Sequence, residues 1–326
     1  IDTTQTGMQR ANKFADVISS AYEYSKNQPY GALDAFVVVG DMVNSGLEAE
    51  YDLYNQKLDA EIKAGTEVIE IMGNHEYWGN IDTADIYKQK VSPKLNQHVE
   101  INGYHFLGIS QDNDDSYASS MDWLEAELDV AAADSVNKPM FAFQHIGIDN
   151  TVYGTYAGGS TKSSEEMDAL YSQYSNLIHF SAHTHTPINT PTIINQTDYT
   201  QVATGTLYYI CMENDATYGT QPPNSNNVSQ YYIVEVYGDN RVEMKPYNEM
   251  TNSFFKTPST TDADDTEIVY TVDVNDKENW LYTASRTEGN AAPYFETGDA
   301  ISFDKVTYKS AQITFQQAED DNGVYR

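Results

Sequence analysis

Four of the seven histidines in this chain of 326 residues stand where an apolar run stops. Val68 to Met72 breaks at Gly73 and is followed at once by Asn74, His75 and Glu76. Ala35 to Val39 breaks at Gly40 and Asp41, Pro139 to Gln144 ends at His145, and Leu177 to Ala182 runs into His183-Thr184-His185. A short apolar run cut off by a polar residue is the pattern of a buried strand that delivers a side chain to the rim of a parallel sheet. Glycine at the break lets the backbone turn with no Cβ in the way. Carboxylate, amide oxygen and imidazole brought together suit a hard or borderline divalent cation. A single histidine at a strand end is ordinarily a solvated or hydrogen-bonded residue. Four apolar runs ending in such donors point instead to a cluster.

Val39-Gly40-Asp41, Gly73-Asn74-His75-Glu76, His145 and Ala182-His183-Thr184-His185 resemble the second to fifth motifs of the calcineurin-like metallophosphoesterases. Order and spacing agree: 33 residues from Asp41 to Asn74, 71 on to His145 and 38 on to His183. Gly-Asn-His-Glu after a strand is the most specific part; Ala182 stands where the family usually has glycine. Trp123 to Leu128 is similar to the helix between the third and fourth motifs. The resemblance covers the first three-quarters of the chain and implies a two-sheet α/β sandwich. It also implies hydrolysis of a phosphoester, as a phosphatase or phosphodiesterase, by a metal-bound hydroxide at a dinuclear site of manganese, iron or zinc. On that resemblance Asp41 bridges two divalent ions, Asn74, His145 and His183 complete one position, and His185 belongs to the other. His75 is then the catalytic residue, contacting the phosphoryl group and protonating the leaving oxygen, while Glu76 fixes His75 or its turn.

The family's first motif, a strand ending in Asp-x-His, has no match: Asp2 is followed by Thr3, Thr4 and Gln5, and no histidine precedes His75. That strand is expected just before Ile1, leaving the first metal position incomplete within these residues. The competing expectation is a catalytically impaired surface binding protein that keeps the domain as a scaffold. A zinc peptidase is disfavoured because His-Glu-x-x-His does not occur.

The elements that must position these residues follow from periodicity. Met8 to Lys26 places Ala11, Phe14, Ala15, Ile18 and Tyr22 on one helical stripe, and Leu47 to Ala64 does the same with Tyr51, Tyr54, Leu58 and Ile62, with Gly65 at the cap. Strand, helix, strand is the unit of a parallel sheet. Asn102-Gly103 between Val99–Ile101 and Tyr104–Ile109 is a hairpin signal that takes up His98 and His105. Ser164 is expected to cap a helix from Glu165 to Tyr174, and His179 to be packed inside its strand. Later strands are expected over 199–203, 206–211, 230–237 and 241–247. The division is a metallophosphoesterase domain over 1–255, a linker over 256–266 and a partial, sandwich-like all-β module over 267–326. Within that module 303–315 resembles the opening strands of a fibronectin type III-like unit.

Lys and Arg total 18 against 49 Asp and Glu, a formal charge of −31. So acidic a surface repels long polyanions, which argues against a nucleic acid polymer or an anionic membrane as partner. A small-molecule phosphoester can still be drawn to a local dication. The single Cys211 lies in an apolar run and reads as a buried thiol, with no disulfide framework in these residues. Scarce cysteine beside 26 tyrosines suits an extracellular or cell-surface protein of a Gram-positive bacterium. No run reaches membrane-spanning length. Substrate identity, metal identity and oligomeric state stay open.

Overall fold

The computed structural model describes residues 1–318 except 80–81, 157, 215–216, 258–265, 289–293, 297, 299 and 317. Helix α1 (Gln5–Ser25) begins at Thr4, whose hydroxyl accepts from the Gly7 amide at 3.1 Å, and it buries Phe14, Val17, Ile18 and Tyr22. Strand β1 (Ala35–Val39), helix α2 (Glu48–Glu61) and strand β2 (Glu67–Ile71) follow, with β1 and β2 paired in parallel. Helix α2 stops short of Ala64 because Ile62 turns extended at ψ 132°; Gly65 lies beyond the cap.

Helix α3 (Thr83–Lys90) leads into the hairpin of β3 (Gln97–Ile101) and β4 (Tyr104–Ile109). Asn102 and Gly103 turn it at φ 54° and 79°, the left-handed pair that matches the twist of the flanking strands. Next come α4 (Met121–Asp134), β5 (Met140–Gln144), α5 (Ser164–Tyr171), β6 (Leu177–Ser181), β7 (Ile194–Gln196) and β8 (Thr200–Ala203). The expected cap of α5 shifts by one residue, to Ser163, because the Ser164 hydroxyl is taken by the Asp149 amide and the Thr161 carbonyl. Strands β3 to β8 form one sheet in the order β3-β4-β5-β6-β8-β7, with β4, β5, β6 and β8 parallel. Strands β5 and β6 are buried at every position, as strands covered on both faces must be.

A short pair, β9 (Met212–Asn214) and β10 (Thr217–Thr220), precedes β11 (Gln230–Val236), β12 (Arg241–Asn248) and β13 (Ser253–Phe254). The further strands are β14 (Lys256–Thr257), β15 (Thr266–Glu267), β16 (Tyr270–Asp273), β17 (Ser302–Asp304) and β18 (Gln312–Thr314). Strand β12 pairs with both β11 and β16, so Tyr270–Asp273, assigned by sequence to a following module, lies in the same sheet as 230–248. Strands β17 and β18 pair with one another. The expected linker falls largely on 258–265, outside the described residues. The strand expected over 206–211 is a loop, because its backbone serves other partners: the Cys211 amide donates to the His185 carbonyl and the Ile210 amide to Ser225.

The β1–β2 pair, the β3–β8 sheet and the β11–β13 sheet with β16, together with their helices, thus bury three apolar layers. Phe141, Phe143, Ile178 and Phe180 meet Val242, Met244, Tyr270 and Val272 between the sheets. Leu107, Met140 and Leu177 meet Leu124, Leu128, Met167 and Tyr171 beneath α4 and α5. Phe14, Ile18, Tyr51, Tyr54 and Tyr87 pack over β1 and β2. Each such side chain contributes about 1.5–3 kcal/mol relative to leaving it in water.

His179 on β6 sits between the rings of Tyr171 and Tyr199, and neither of its nitrogens has a hydrogen-bond partner among the described residues. Burial pulls its pKa down to about 3. A depressed histidine stabilises the fold above its unfolded value and loses that stability as pH falls from about 6.5 toward 3. Urea titrations at pH 7.5 and pH 5 should therefore show about 2 kcal/mol less of this loss in His179→Phe than in the parent; equal losses would mean that His179 finds a partner.

Candidate metal centre

The carboxyl ends of β1, β2, β5 and β6 converge, and the backbone at each end is bent to fit. Gly40 and Asp41 follow one another at φ 80° and 54°, and His183 and His185 lie at φ 63° and 51°. Each non-glycine residue held there costs roughly 1–2 kcal/mol, so the surrounding bonds must over-determine the turns. The close approach of the loops has the same origin. A Cβ on Gly73 would lie 2.4 Å from Asp41 Oδ1, and one on Gly40 would lie 2.5 Å from His145 Nδ1.

The hydrogen-bond directions at His145 decide what the cluster can hold. Its Nδ1 is 2.7 Å from the Val39 carbonyl, which can only accept, so Nδ1 carries the proton. In the neutral ring Nε2 then presents a lone pair, 3.1 Å from Asp41 Oδ2 and 3.1 Å from Asn74 Oδ1. His183 Nδ1 lies 3.1 Å from the same Asn74 oxygen. When Nε2 carries no proton, three acceptors face one another around His145, an arrangement that either a proton shared with Asp41 or a metal cation stabilises. Donors about 2.0–2.2 Å from one ion stand ~2.8–3.6 Å apart between right-angle and tetrahedral geometry, and the 3.1 Å seen lies within that span. The donor set fits a borderline dication held by Asp41, Asn74, His145 and His183.

Without a cation, the electrostatics place a proton on His145 beside Asp41 and leave His183 and His185 neutral. Burial, followed by the nearby His145, brings His183 down to about 3, and burial brings His185 down to about 4, so both rings are neutral at pH 7. Burial works to raise Asp41, but the His145 charge outweighs it and holds the carboxyl below its ordinary range. Burial likewise opposes the charge on His145, whose pKa is nonetheless raised by the Asp41 carboxylate.

Not every expected residue joins the cluster. His185 donates from Nδ1 to the Tyr209 carbonyl at 3.0 Å and stacks on the Tyr209 ring at 4.0 Å. It lines the same cavity of about 730 Å³ as Asp41, His145 and His183, outside the four converging donors. Consecutive residues of β1 and of β11 line that cavity; since neighbouring strand residues point to opposite faces, it runs along the strands' edges. The expected Asp-x-His strand has no counterpart among the described residues, and Asp2 instead accepts from the Thr4 amide at 2.8 Å. His75 donates its amide to Asp41 Oδ1 at 3.0 Å and its Nδ1–H to the Asn44 carbonyl at 3.0 Å. Its Nε2 is thereby turned inward, 3.9 Å from Asp41 Oδ2. Trp78 covers the imidazole at 3.6 Å between centroids while remaining 63% exposed; Tyr77 is tied back to the Gln111 carbonyl. Sequence reasoning missed the carbonyls of Val39, Asn44 and Tyr209, which set the three tautomers, because backbone acceptors carry no residue-type signal.

Glu76 is fully buried and binds both turns at once, accepting from the amides of Asp41 (2.9 Å), Val43 (3.0 Å) and Gly73 (2.5 Å). Burial, then Asp41, pushes its carboxyl up to about 7. Glu76→Gln would aim an NH₂ at those donors, and unsatisfied buried groups cost about 1–3 kcal/mol each. The variant should lose about 2–3 kcal/mol in urea titration and retain less metal after dialysis; unchanged values would show that Glu76 does not hold the turns.

The sequence model of the calcineurin-like phosphoesterases matches residues 7–187, more than half of the chain. No curated protein sequence matches. Among solved structures, a purple acid phosphatase from yellow lupin (Lupinus luteus) seeds is similar, with a TM-score of 0.50 and 13% identity. The match covers 73% of this chain and 48% of that one, so the chain spans about half the length of that relative. The likeness supports the fold, an α/β metallophosphoesterase-type domain with additional β-sheets toward the carboxyl end. The match over residues 7–187, which takes in all four strand-end motifs, places the chain in the calcineurin-like phosphoesterase family.

Proposed function

We propose that this protein hydrolyses a small-molecule phosphoester with manganese, iron or zinc held by Asp41, Asn74, His145 and His183, and with His185 as a donor toward a second ion. The observation that carries the reading is the meeting of Asp41 Oδ2 and Asn74 Oδ1 at 3.1 Å from His145 Nε2, whose other nitrogen is held by the Val39 carbonyl, with His183 against the same Asn74 oxygen. Dications bound there supply charge neutralisation for phosphoryl oxygens and a water acidified toward neutral pH. The chain supplies the rest. With Nδ1–H pinned by the Asn44 carbonyl, His75 turns Nε2 to the cavity side, where only the imidazolium form would carry a proton to pass to a leaving alkoxide. Trp78 shields one face of that ring from water and offers an exposed surface on which a base or sugar could stack. The acidic surface supports a small substrate over a polyanion.

A second reading, a scaffold that binds phosphorylated molecules without turning them over, is favoured by one observation: four donors converge around a single point while His185 stands apart. Turnover separates the two. The full-length protein loaded with Mn²⁺, Fe²⁺ or Zn²⁺ should cleave p-nitrophenyl phosphate or its bis-ester. His75→Ala should lower kcat by about 10²–10⁴-fold with metal content unchanged by elemental analysis. Tight phosphate binding with no cleavage of either ester under any of the three metals would favour the scaffold.

A further inference from the structure

The two histidines of the β3–β4 hairpin are left over from the centre above, and their geometry repeats its logic. In the register of the hairpin His98 faces Leu107 and Glu100 faces His105, so the two imidazoles are diagonal neighbours on one face. Helix α4 lies over them, with Glu127 and Asp134 seven residues apart and so two turns apart on one side. The hydrogen bonds form a single line. Glu127 Oε2 meets His98 Nδ1, His98 Nε2 lies 2.8 Å from His105 Nδ1, and His105 Nε2 lies 3.3 Å from Asp134 Oδ2.

Both ends of the line are carboxylates, which only accept, so His98 Nδ1 carries a proton and His98 Nε2, in the neutral ring, accepts from His105 Nδ1. His105 Nε2 faces Asp134, and there either a proton, making His105 an imidazolium, or a cation completes the line. Glu100, His105 and Asp134 each bring a ligand atom within 4.8 Å of the others. The 3.3 Å between His105 Nε2 and Asp134 Oδ2 is also a separation that two ligands of one tetrahedral ion adopt. His105 is buried while both carboxylates are exposed, so the position is rigid at its imidazole and open to solvent at its oxygens. Glu127 and His98 stand behind His105 as an outer relay of the kind that orients metal-bound imidazoles.

We infer a second divalent-cation site, distinct from the strand-end centre, in which Glu100, His105 and Asp134 bind a zinc-like borderline dication and clamp the hairpin to the last turn of α4. One imidazole and two carboxylates leave room for water, which fits zinc or cobalt, and the net charge of −31 favours cation uptake.

Equilibrium dialysis of the full chain against Co²⁺ and Zn²⁺, read by elemental analysis, tests the assignment. Glu100→Gln combined with Asp134→Asn should bind one equivalent fewer than the parent, and Asp41→Asn should keep that equivalent while losing metal from the strand-end centre. Melting curves of the double variant and the parent should coincide in EDTA, and Zn²⁺ should give the parent an added rise in midpoint that the variant lacks. Phosphoester turnover, where measured, should be the same in both within twofold. Equal metal counts in parent and double variant would overturn the site. So would ¹⁵N resonances of His105 that show a proton on Nε2 in the presence of saturating Zn²⁺. Neither result depends on the activity of the other centre.

Discussion

Nitrogen and oxygen donors brought to one point from four strand ends are the constraint on which this fold turns. His145 can present Nε2 to Asp41 and Asn74 only because the Val39 carbonyl has claimed its other nitrogen. Val39 is the last residue of β1, one step before the turn that carries Asp41. The same strand end therefore supplies a ligand and sets the protonation of its neighbour. Left-handed backbone at Asp41, His183 and His185 stores the cost of this arrangement. The fully buried layers beneath β5 and β6, with the three amide bonds to Glu76, offset it.

Much of this is legible in the sequence, for a physical reason. Buried parallel strands read as continuous apolar runs, so Ala35–Val39, Met140–Gln144 and Leu177–Ser181 announce both themselves and the donors that follow. The hairpin at Asn102-Gly103 is equally local, since its turn chemistry is held in two residues. Where information is not local, the reading slipped. The segment 206–211 has strand composition, with Leu207, Tyr208, Tyr209 and Ile210, yet its backbone is drawn to His185 and Ser225, partners far along the chain. Tyr270–Asp273 alternates like a strand of a new module, and nothing local says that β12 has an edge waiting for it.

At the site itself, residue types identified the donors and not their grouping. Asp41, Asn74, His145 and His183 come together, and His185, equally plausible by spacing, is turned aside by the Tyr209 carbonyl and ring. The hairpin histidines illustrate the reverse. Each reads as an ordinary structural residue, and only the cross-strand register and the two-turn spacing on α4 reveal that they form one directed chain of hydrogen bonds. Direction of donation, which no residue type encodes, separates a packed histidine such as His179 from one that a proton or a cation must complete.

Anomalous diffraction from crystals grown with Mn²⁺ or Zn²⁺ tests the central claim most directly. The account predicts a peak about 2.0–2.3 Å from Asp41 Oδ2, Asn74 Oδ1, His145 Nε2 and a nitrogen of His183, with His145 Nδ1 still bound to Val39. An ion-free pocket at saturating metal, with a proton bridging His145 Nε2 and Asp41, would contradict it.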